Sequence, residues 1–188
     1  MNKALYYAIF LGVTAMLVTL ISYVGYAITN PVIEQNTIDK INRNIALLYD
    51  PEEGYTRNEN QQDNKYREDD SKYKTVSSIY EVLDDQGELA VVIYDMAVQG
   101  RNDIIHALVA VDPYTDTIEA INYYDHGETP NIGERYTREE EYTKLIGQTI
   151  GNVEIDALAG ATTTWTSLNT MFENLATHYN SEGVHIDE

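Results

Sequence analysis

ELAVVIYDMAVQ, residues 88–99, is the stretch of sequence that decides the fold. It is long, rich in β-branched and aromatic residues, and follows a turn signal at residues 85–87. A second run of the same kind, IIHALVAV (residues 104–111), begins directly after the turn residues 100–103. Because short connections join antiparallel neighbours, the two runs predict a pair of adjacent antiparallel strands.

Two further strands extend this pair on either side. SIYEVLD (residues 78–84) precedes it, and TIEAINYYD (residues 117–125) follows the turn DPYTD (residues 112–116). Three or four antiparallel strands in a meander are the economical interpretation. Alternation at Ile118, Ala120 and the paired tyrosines predicts a sheet with one buried face and one wet face.

Helical patterns flank the predicted sheet. A final amphipathic helix begins after Thr162, and its apolar residues recur at spacings of three and four: Trp165, Leu168, Phe172, Leu175 and Tyr179. A short helix is expected around residues 138–146, after a polar segment, and residues 180–188 form a tail. These elements predict an α+β domain, an antiparallel sheet flanked by helices.

The N-terminus predicts a transmembrane helix. No charged residue lies between Ala4 and Ile28. A helix of that length is about 38 Å long at ~1.5 Å per residue, which exceeds the ~30 Å hydrocarbon core. The run is longer than a signal-peptide core and lacks small residues for cleavage, which favours an uncleaved anchor. Because only Lys3 and the α-amine precede it, the N-terminus is expected in the cytoplasm and the domain outside.

Three parts of the chain follow from these patterns: an anchor over residues 1–30, a stalk helix and polar loop over residues 31–75, and a single domain over residues 76–188. Asn30-Pro31 is typical of a helix entry, with Asn as N-cap and Pro at the first helical position. The stalk helix carries an apolar stripe expected to pack on the domain: Ile38, Ile41, Ile45 and Leu48. Residues 50–74 are polar and are predicted to be a mobile loop or partly ordered insertion.

Composition excludes several classes of function. The chain has 12 Lys and Arg against 31 Asp and Glu, a formal net charge of −19, and such a surface repels phosphate backbones and argues against nucleic-acid binding. Cysteine is absent, which removes thiolate-bound iron–sulfur clusters and attached c-type haem. Any redox chemistry therefore requires an organic cofactor. No catalytic constellation or metal site is predicted, because the four histidines are scattered: His106, His126, His178 and His185.

Two segments combine residue types that suit a phosphorylated ligand. The first, DALAGAT (residues 156–162), has small residues that let a bulky group approach, a hydroxyl at Thr162 and a helix N-terminus after it. The second, HGETPNIG (residues 126–133), combines Gly, Pro, a carboxylate and hydroxyls in a loop that can wrap a planar ligand. From the residues alone, an N-capped helix and an ordinary tight turn remain alternatives.

DALAGAT resembles the flavinylation motif D-G-x-S/T-G-A-T, which ApbE-type flavin transferases recognise. HGETPNIG is similar to the H-x-E-T-P-G-L-G loop of the covalent FMN-binding domain in the family of the Rnf complex G subunit and NqrC, and ITNPVIEQN (residues 28–36) resembles the end of the membrane span there. The similarity covers nearly the whole chain in the expected order. Three positions depart from it: Ala157, Ala159 and Asn131. Losing the hydroxyl at position 159 affects transferase recognition or one cofactor contact, whereas Asn131 suits a positive-φ turn.

The resemblance implies residue roles. Thr162 would receive FMN from FAD as a phosphoester, and the transferase would recognise Asp156, Gly160, Ala161 and Thr162. The implied cofactor-binding residues are Glu128, Thr129, Pro130, Ile132, Gly133, Gly160, Ala161, Thr163 and Thr164. For His126, contact with the cofactor and a turn-stabilising hydrogen bond are equally good interpretations.

The resemblance also implies a place in a complex. The chain would be an electron-transfer subunit of the Rnf complex, an ion-translocating ferredoxin:NAD oxidoreductase of the cytoplasmic membrane, without stand-alone catalytic activity. Its partners would be the flavin- and iron–sulfur-bearing Rnf subunits, and the chain length favours the Rnf G subunit over NqrC. Two other functions are compatible with the residues: a free-standing extracytoplasmic FMN carrier for another reductase, and a non-redox acidic binding module anchored in the membrane.

Overall fold

One antiparallel sheet of five strands organises the part of the chain that this computed structural model describes, residues 2–58 and 75–182. The strands are β1 (Thr56–Arg57), β2 (Val76–Leu83), β3 (Leu89–Gln99), β4 (Ile104–Asp112) and β5 (Thr117–Asp125). Neighbours along the chain are neighbours in the sheet. The predicted meander of three or four strands is therefore confirmed with four, β2 to β5, and β1 is an addition at the edge next to β2.

Helices account for most of the remaining described residues. They are α1 (Lys3–Leu48), α2 (Glu139–Tyr142), α3 (Thr162–Glu182) and 3-10 turns at Pro51–Glu53, Gly133–Thr137, Thr143–Leu145 and Ile150–Asn152. The predicted short helix around residues 138–146 corresponds to α2 and the 3-10 turn that follows it. The chain forms two compact units, Met1–Arg43 and Asn44–Glu188. Most of the predicted polar loop (residues 59–74) and the end of the predicted tail (residues 183–188) lie outside the described residues.

Helix α1 continues past Pro31, so the helix entry predicted at Asn30-Pro31 is wrong. Proline removes one backbone donor and crowds the carbonyl four residues earlier, but several helical turns on each side of Pro31 continue the helix through it. The Asn30 side chain is not a cap, because its Nδ2 donates to Glu34 Oε1 at 2.7 Å along the same helix. Local N-cap and proline preferences were thus overridden by the length of the helix around them.

Helix α1 is long and apolar enough to cross a membrane, by length and composition. The predicted span from Ala4 to Ile28 is helical throughout, and its residues are exposed in the structure. Farther along the helix, the predicted apolar stripe is buried at Ile41 and Ile45, whereas Ile38 is 48% exposed. The stripe is therefore shorter than its sequence pattern indicated.

Helix α3 covers one face of the sheet. The hydrophobic core at this face contains Tyr94, Met96, Val109, Leu168, Met171 and Leu175, all of them buried. Within this core, Tyr94 Oη and His178 Nδ1 form a hydrogen bond of 3.2 Å, so His178 is a core residue with a partner. The predicted amphipathic helix is confirmed, with four of its stripe residues buried and the first one half-buried: Leu168, Phe172, Leu175, Tyr179 and Trp165.

The opposite face of the sheet is buried at its centre and is not exposed to solvent there. Residues 91–96 of β3 and 107–111 of β4 are buried without alternation, so the predicted wet face is wrong for these strands. The last turn of α1 lies on this face, where Asn122 Nδ2 of β5 donates to Asn44 Oδ1 at 2.9 Å. Burial on both faces explains why the sequences of β3 and β4 are nearly continuous apolar runs.

A carboxyl group is buried on this second face. Asp95 is 4% exposed, and its Oδ1 accepts a hydrogen bond from the Tyr124 hydroxyl at 2.7 Å. That hydroxyl also lies 3.5 Å from His106 Nδ1. Burial raises the pKa of Asp95 above its ordinary value, and the hydrogen bond from Tyr124 offsets part of the rise. The folded domain therefore disfavours the ionised form of Asp95.

We expect Asp95→Asn to stabilise the protein, relative to the wild type, more at pH 8 than at pH 4. Because the pKa of Asp95 is raised by folding, the carboxyl contributes stability that is fully present below the unfolded pKa of about 3.9 and is lost as the pH rises through the folded pKa. Asparagine keeps an oxygen that accepts the hydrogen bond from Tyr124. It has no carboxyl group to ionise, so the variant does not lose stability in this way as the pH rises. Urea unfolding at the two pH values measures the effect, with Asp85→Asn as the exposed control. An equal change in both variants contradicts the prediction.

Candidate functional site

The segment of residues 156–162 ends in a tight turn, and its last residue, Thr162, follows that turn. Gly160 has a φ of 81°, a left-handed conformation that favours glycine. The Ala161 N–H donates to the Leu158 carbonyl at 3.2 Å and closes the turn. Ala161 is 3% exposed, whereas Thr162 is exposed. The turn therefore buries a small residue and leaves the hydroxyl-bearing one accessible.

Helix α3 begins at Thr162 with backbone donors that have no helical acceptor. The helical ladder starts with the Trp165 N–H, which donates to the Ala161 carbonyl at 3.0 Å. The amides of residues 162–164 come before this bond, as in the first turn of any α-helix. Together with the helix dipole they create a positive potential beside Thr162. This potential is suited to a phosphate group.

Glu128 lies inside the domain and is 6% exposed. Its Oε2 accepts a hydrogen bond from Thr164 Oγ1 at 2.5 Å, and its Oε1 accepts one from the Arg101 N–H at 2.7 Å. Thr164 is 1% exposed. The structure therefore brings two of the predicted site residues together, but it turns both side chains inward.

The rest of the loop over residues 126–133 is held to the turn between β3 and β4. Asn102 Nδ2 donates to the Gly127 carbonyl at 3.2 Å and to Thr129 Oγ1 at 2.9 Å. Asn131 has a φ of 60°, a conformation that asparagine tolerates, and its N–H donates to Glu134 Oε2 at 2.9 Å. The exposed residues of the loop include Pro130, Asn131 and Ile132.

His126 makes a hydrogen bond within the loop region. Its Nε2 lies 3.1 Å from Thr137 Oγ1, and Thr137 Oγ1 also donates to the Glu134 carbonyl at 2.9 Å. This is the turn-stabilising hydrogen bond that was one of the two interpretations of His126. The other ring nitrogen, Nδ1, is buried without a partner in the described part of the chain.

A cavity of about 160 Å³ adjoins the segment of residues 156–162. It is lined by three tyrosines, three aliphatic residues and five polar or charged residues: Tyr123, Tyr136, Tyr142, Leu145, Ile155, Leu168, Glu141, Lys144, Gln148, Glu154 and Asp156. Burial raises the pKa of Tyr123. The Tyr123 hydroxyl has no hydrogen-bond partner among the described residues. The cavity thus offers an aromatic lining next to Asp156, the first residue of the segment.

Tyr136 connects this cavity to the candidate acceptor segment. Its hydroxyl donates to the Asp156 carbonyl at 3.0 Å and accepts from the Leu158 N–H at 2.8 Å. The Asp156 side chain points outward, with 78% of it exposed, and lies 3.8 Å from Lys144 Nζ. The backbone of Asp156 is therefore fixed while its carboxylate stays accessible.

Sequence reasoning missed the residues that hold the site together. Arg101 and Asn102 follow β3, far from either motif. The sequence patterns assign the three cavity tyrosines to the sheet, the polar segment and the short helix, and do not bring them together. Gly100 and Gly133 are the signal in the sequence that could have indicated the enclosure of Glu128, because a Cβ on either glycine would overlap one of its carboxylate oxygens. Two glycines in different turns indicate that another group approaches the backbone closely there. Their spacing in the sequence does not identify that group.

Comparison with known proteins adds a family match. Residues 100–177 match the family model of the FMN-binding domain. The matched region contains β4, β5, the loop of residues 126–133, the turn before Thr162 and most of α3. This match supports FMN as the cofactor.

Curated relatives are subunits C of Na⁺-translocating NADH-quinone reductases. The protein of Pasteurella multocida is 27% identical over 115 residues, covering 52% of this chain and 44% of the relative. That of Vibrio alginolyticus is 26% identical over 123 residues, covering 55% and 48%. That of Yersinia pestis is 41% identical over 58 residues, covering 31% and 22%. The chain thus spans about half the length of these relatives or less. A crystal structure of NqrC from Shewanella oneidensis aligns with a TM-score of 0.48 and 26% identity, over 57% of this chain and 61% of that chain.

Proposed function

We propose that this protein is a membrane-anchored electron-transfer subunit that carries FMN covalently on Thr162. The observation that carries this proposal is the exposed Thr162 at the first residue of α3, inside the region that matches the FMN-binding domain. A turn with a left-handed glycine and a buried alanine precedes it, so the hydroxyl-bearing residue is the accessible one. This accessibility supports Thr162 as the acceptor.

The residues present fit both ends of FMN. The free amides at the start of α3 suit the phosphate, because they compensate negative charge in a domain that is otherwise strongly acidic. The cavity lined by Tyr123, Tyr136 and Tyr142 suits a planar ring, since aromatic side chains stack on flat π-systems. The exposed loop residues Pro130 and Ile132 would add an apolar border.

Attachment requires one group transfer at Thr162. Thr162 Oγ1 forms a bond to the phosphorus of the FMN half of FAD, the pyrophosphate bond to AMP breaks, and the hydroxyl proton goes to a base of the flavin transferase. No electrons are exchanged in this step. The predicted recognition residue Asp156 suits contact with an ApbE-type transferase, because its carboxylate is exposed.

When bound, FMN supplies the chemistry of accepting and donating electrons. The chain's own residues would hold the ring, keep its phosphate beside the amides of α3 and exclude water from one side of it. No protein group needs to transfer a proton to a substrate. The protein would therefore act as a carrier between partners.

The wild-type chain, co-expressed with an ApbE-type flavin transferase, is expected to retain fluorescence on a denaturing gel. Only a covalent bond keeps flavin on an unfolded chain. Intact mass spectrometry is expected to show an increase equal to FMN less one water. An unmodified mass and a dark band, with an active transferase present, would contradict the proposal and leave the acidic binding module as the better function.

We infer that α1 anchors the domain in the cytoplasmic membrane, with its N-terminus inside and the domain outside. The length and apolar composition of α1 support the span, and Lys3 supports the orientation. Accessibility of single cysteines, introduced at positions 2 and 103 into this cysteine-free chain, tests the orientation in intact cells. Labelling of position 2 rather than position 103 by an impermeant reagent would indicate the opposite orientation, with the N-terminus outside and the domain inside.

We propose the Rnf complex as the assembly, although the motifs are shared with NqrC and the curated relatives are subunits of a Na⁺-translocating NADH-quinone reductase. Both assemblies are membrane-bound oxidoreductases in which such a subunit would pass electrons between partners. Purification of the tagged chain from native membranes in mild detergent distinguishes them. Rnf subunits in the eluate support the first assembly, quinone reductase subunits support the second, and isolation without either supports a free-standing carrier.

A further inference from the structure

Glu128 joins three segments that are far apart in the sequence. It belongs to the loop of residues 126–133, its Oε1 accepts from the Arg101 N–H in the turn after β3, and its Oε2 accepts from Thr164 on the first turn of α3. The two hydrogen-bond partners lie 27 and 36 positions away along the chain. One carboxylate therefore connects a sheet end, a loop and a helix start, and we name this unit the Glu128 clasp.

The surroundings of the clasp are shaped to enclose it. A Cβ at Gly100 would overlap Glu128 Oε1, and a Cβ at Gly133 would overlap Glu128 Oε2 and Thr164 Oγ1. Neither glycine has a left-handed φ. Glycine is needed at these two positions because it has no side chain, and not for its backbone freedom. Each carboxylate oxygen already has a donor, and the side chain is buried. The Glu128 carboxylate is therefore built to hold protein segments rather than to meet a ligand.

The clasp determines which side of α3 faces outward. An α-helix turns about 100° per residue, so side chains at positions 162 and 164 lie about 200° apart. When Thr164 points inward to Glu128, Thr162 must point away from the domain. A second contact supports the same orientation, because Ser167 Oγ donates to the Gln99 carbonyl at the end of β3 at 2.6 Å. The start of the helix is thus fixed in rotation at two points.

We propose that Glu128 is a positioning residue for flavin attachment, acting through Thr164 and Arg101 without contact to the flavin. This inference rests on the proposed attachment of FMN to Thr162. The clasp holds the first turn of α3 so that Thr162 Oγ1 and the neighbouring amides meet the incoming phosphorus in one orientation. Without the clasp, the first turn frays and the acceptor samples many orientations, which lowers the rate of transfer.

The test compares four variants of the full-length chain in detergent, with purified flavin transferase and FAD. Glu128→Ala and Thr164→Val break the clasp. Glu128→Gln and Thr164→Ser keep it, because a glutamine oxygen can accept from Arg101 while its NH₂ donates to Thr164 Oγ1. We expect the first pair to slow transfer at saturating chain concentration by about tenfold or more, and the second pair to stay within about threefold of the wild type.

Amide hydrogen exchange supplies a readout that does not depend on attachment. Faster exchange is expected at Arg101 and at residues 163–165 in Glu128→Ala, and exchange close to the wild type in Glu128→Gln. Leu175→Ala is the matched control, because it weakens the same helix in the core and leaves the clasp intact. All measurements are made at a temperature where far-UV circular dichroism shows each variant folded.

Three results would overturn the proposal. Transfer to Glu128→Ala at the wild-type rate, with accelerated exchange at Arg101, would show that the clasp does not position the acceptor. Slow transfer to Glu128→Gln with normal exchange would assign the effect to the charge of Glu128. Equal slowing in Leu175→Ala would assign it to general stability. If the wild-type chain itself accepts no FMN, the proposed function fails and this inference fails with it.

Discussion

Thr162→Val is expected to abolish covalent FMN attachment. Valine has nearly the shape of threonine but no hydroxyl, so it cannot form the ester. Thr162 is exposed at the helix start, and the change therefore leaves the packing of α3 unaltered. Loss of the fluorescent band on a denaturing gel, and of the added mass, measures the effect. A band of wild-type intensity would place the ester on another residue.

Thr163→Val is the matched control for this experiment. Thr163 is the next residue, it is also exposed, and it tests whether any hydroxyl at the helix start can serve. We expect its labelling to equal that of the wild type. Thr164→Val is not a suitable control, although the flanking threonines look equivalent in the sequence, because Thr164 is buried against Glu128. Equal losses in Thr162→Val and Thr163→Val would contradict the acceptor assignment.

Leu175→Ala is expected to lower the free energy of unfolding by about 2–5 kcal/mol. Leu175 is fully buried in the core between α3 and the sheet. Removing its branched end takes apolar contacts from that core and leaves a cavity that close-packed neighbours fill only in part. Urea unfolding, followed by the fluorescence of Trp165, the single tryptophan, measures the loss.

Glu173→Ala serves as the control for helix propensity on the same helix. Glu173 is exposed and lies two residues before Leu175, so its replacement changes no core contact. We expect a change within about 0.5 kcal/mol for this variant. A loss below about 1 kcal/mol in Leu175→Ala would mean that the core at this position can collapse around the smaller side chain, and that α3 contributes less to stability than its burial indicates.

The sheet and the last helix could be predicted because their patterns are local. Alternating turn signals and apolar runs placed β2 to β5, and spacings of three and four placed the buried stripe of α3. The helix entry at Pro31 failed because local preferences for a cap and a break compete with a long helix on both sides. The two-residue strand β1 has no pattern, since two residues cannot show alternation.

The candidate site was predictable as two segments but not as one arrangement. The motifs singled out Glu128, Thr162 and Thr164, yet the inward orientation of Glu128 also depends on Gly100 and Arg101, which belong to the turn after β3. The contact of the second sheet face with the end of α1 likewise joins distant residues, because α1 ends more than 40 residues before β3 in the sequence. Both are tertiary effects, which spacing along the chain does not encode.

The order of the strands also has a consequence for biosynthesis. Since the strands β2 to β5 pair with their sequence neighbours across short turns, this part of the sheet can form early, before α3 is made. Until the final helix arrives, Tyr94, Met96 and Val109 present an apolar surface to chaperones and to other nascent chains. The threonine that we propose for esterification lies on that last element, so maturation of the cofactor site would come after translation of the domain and act as a check that it is complete.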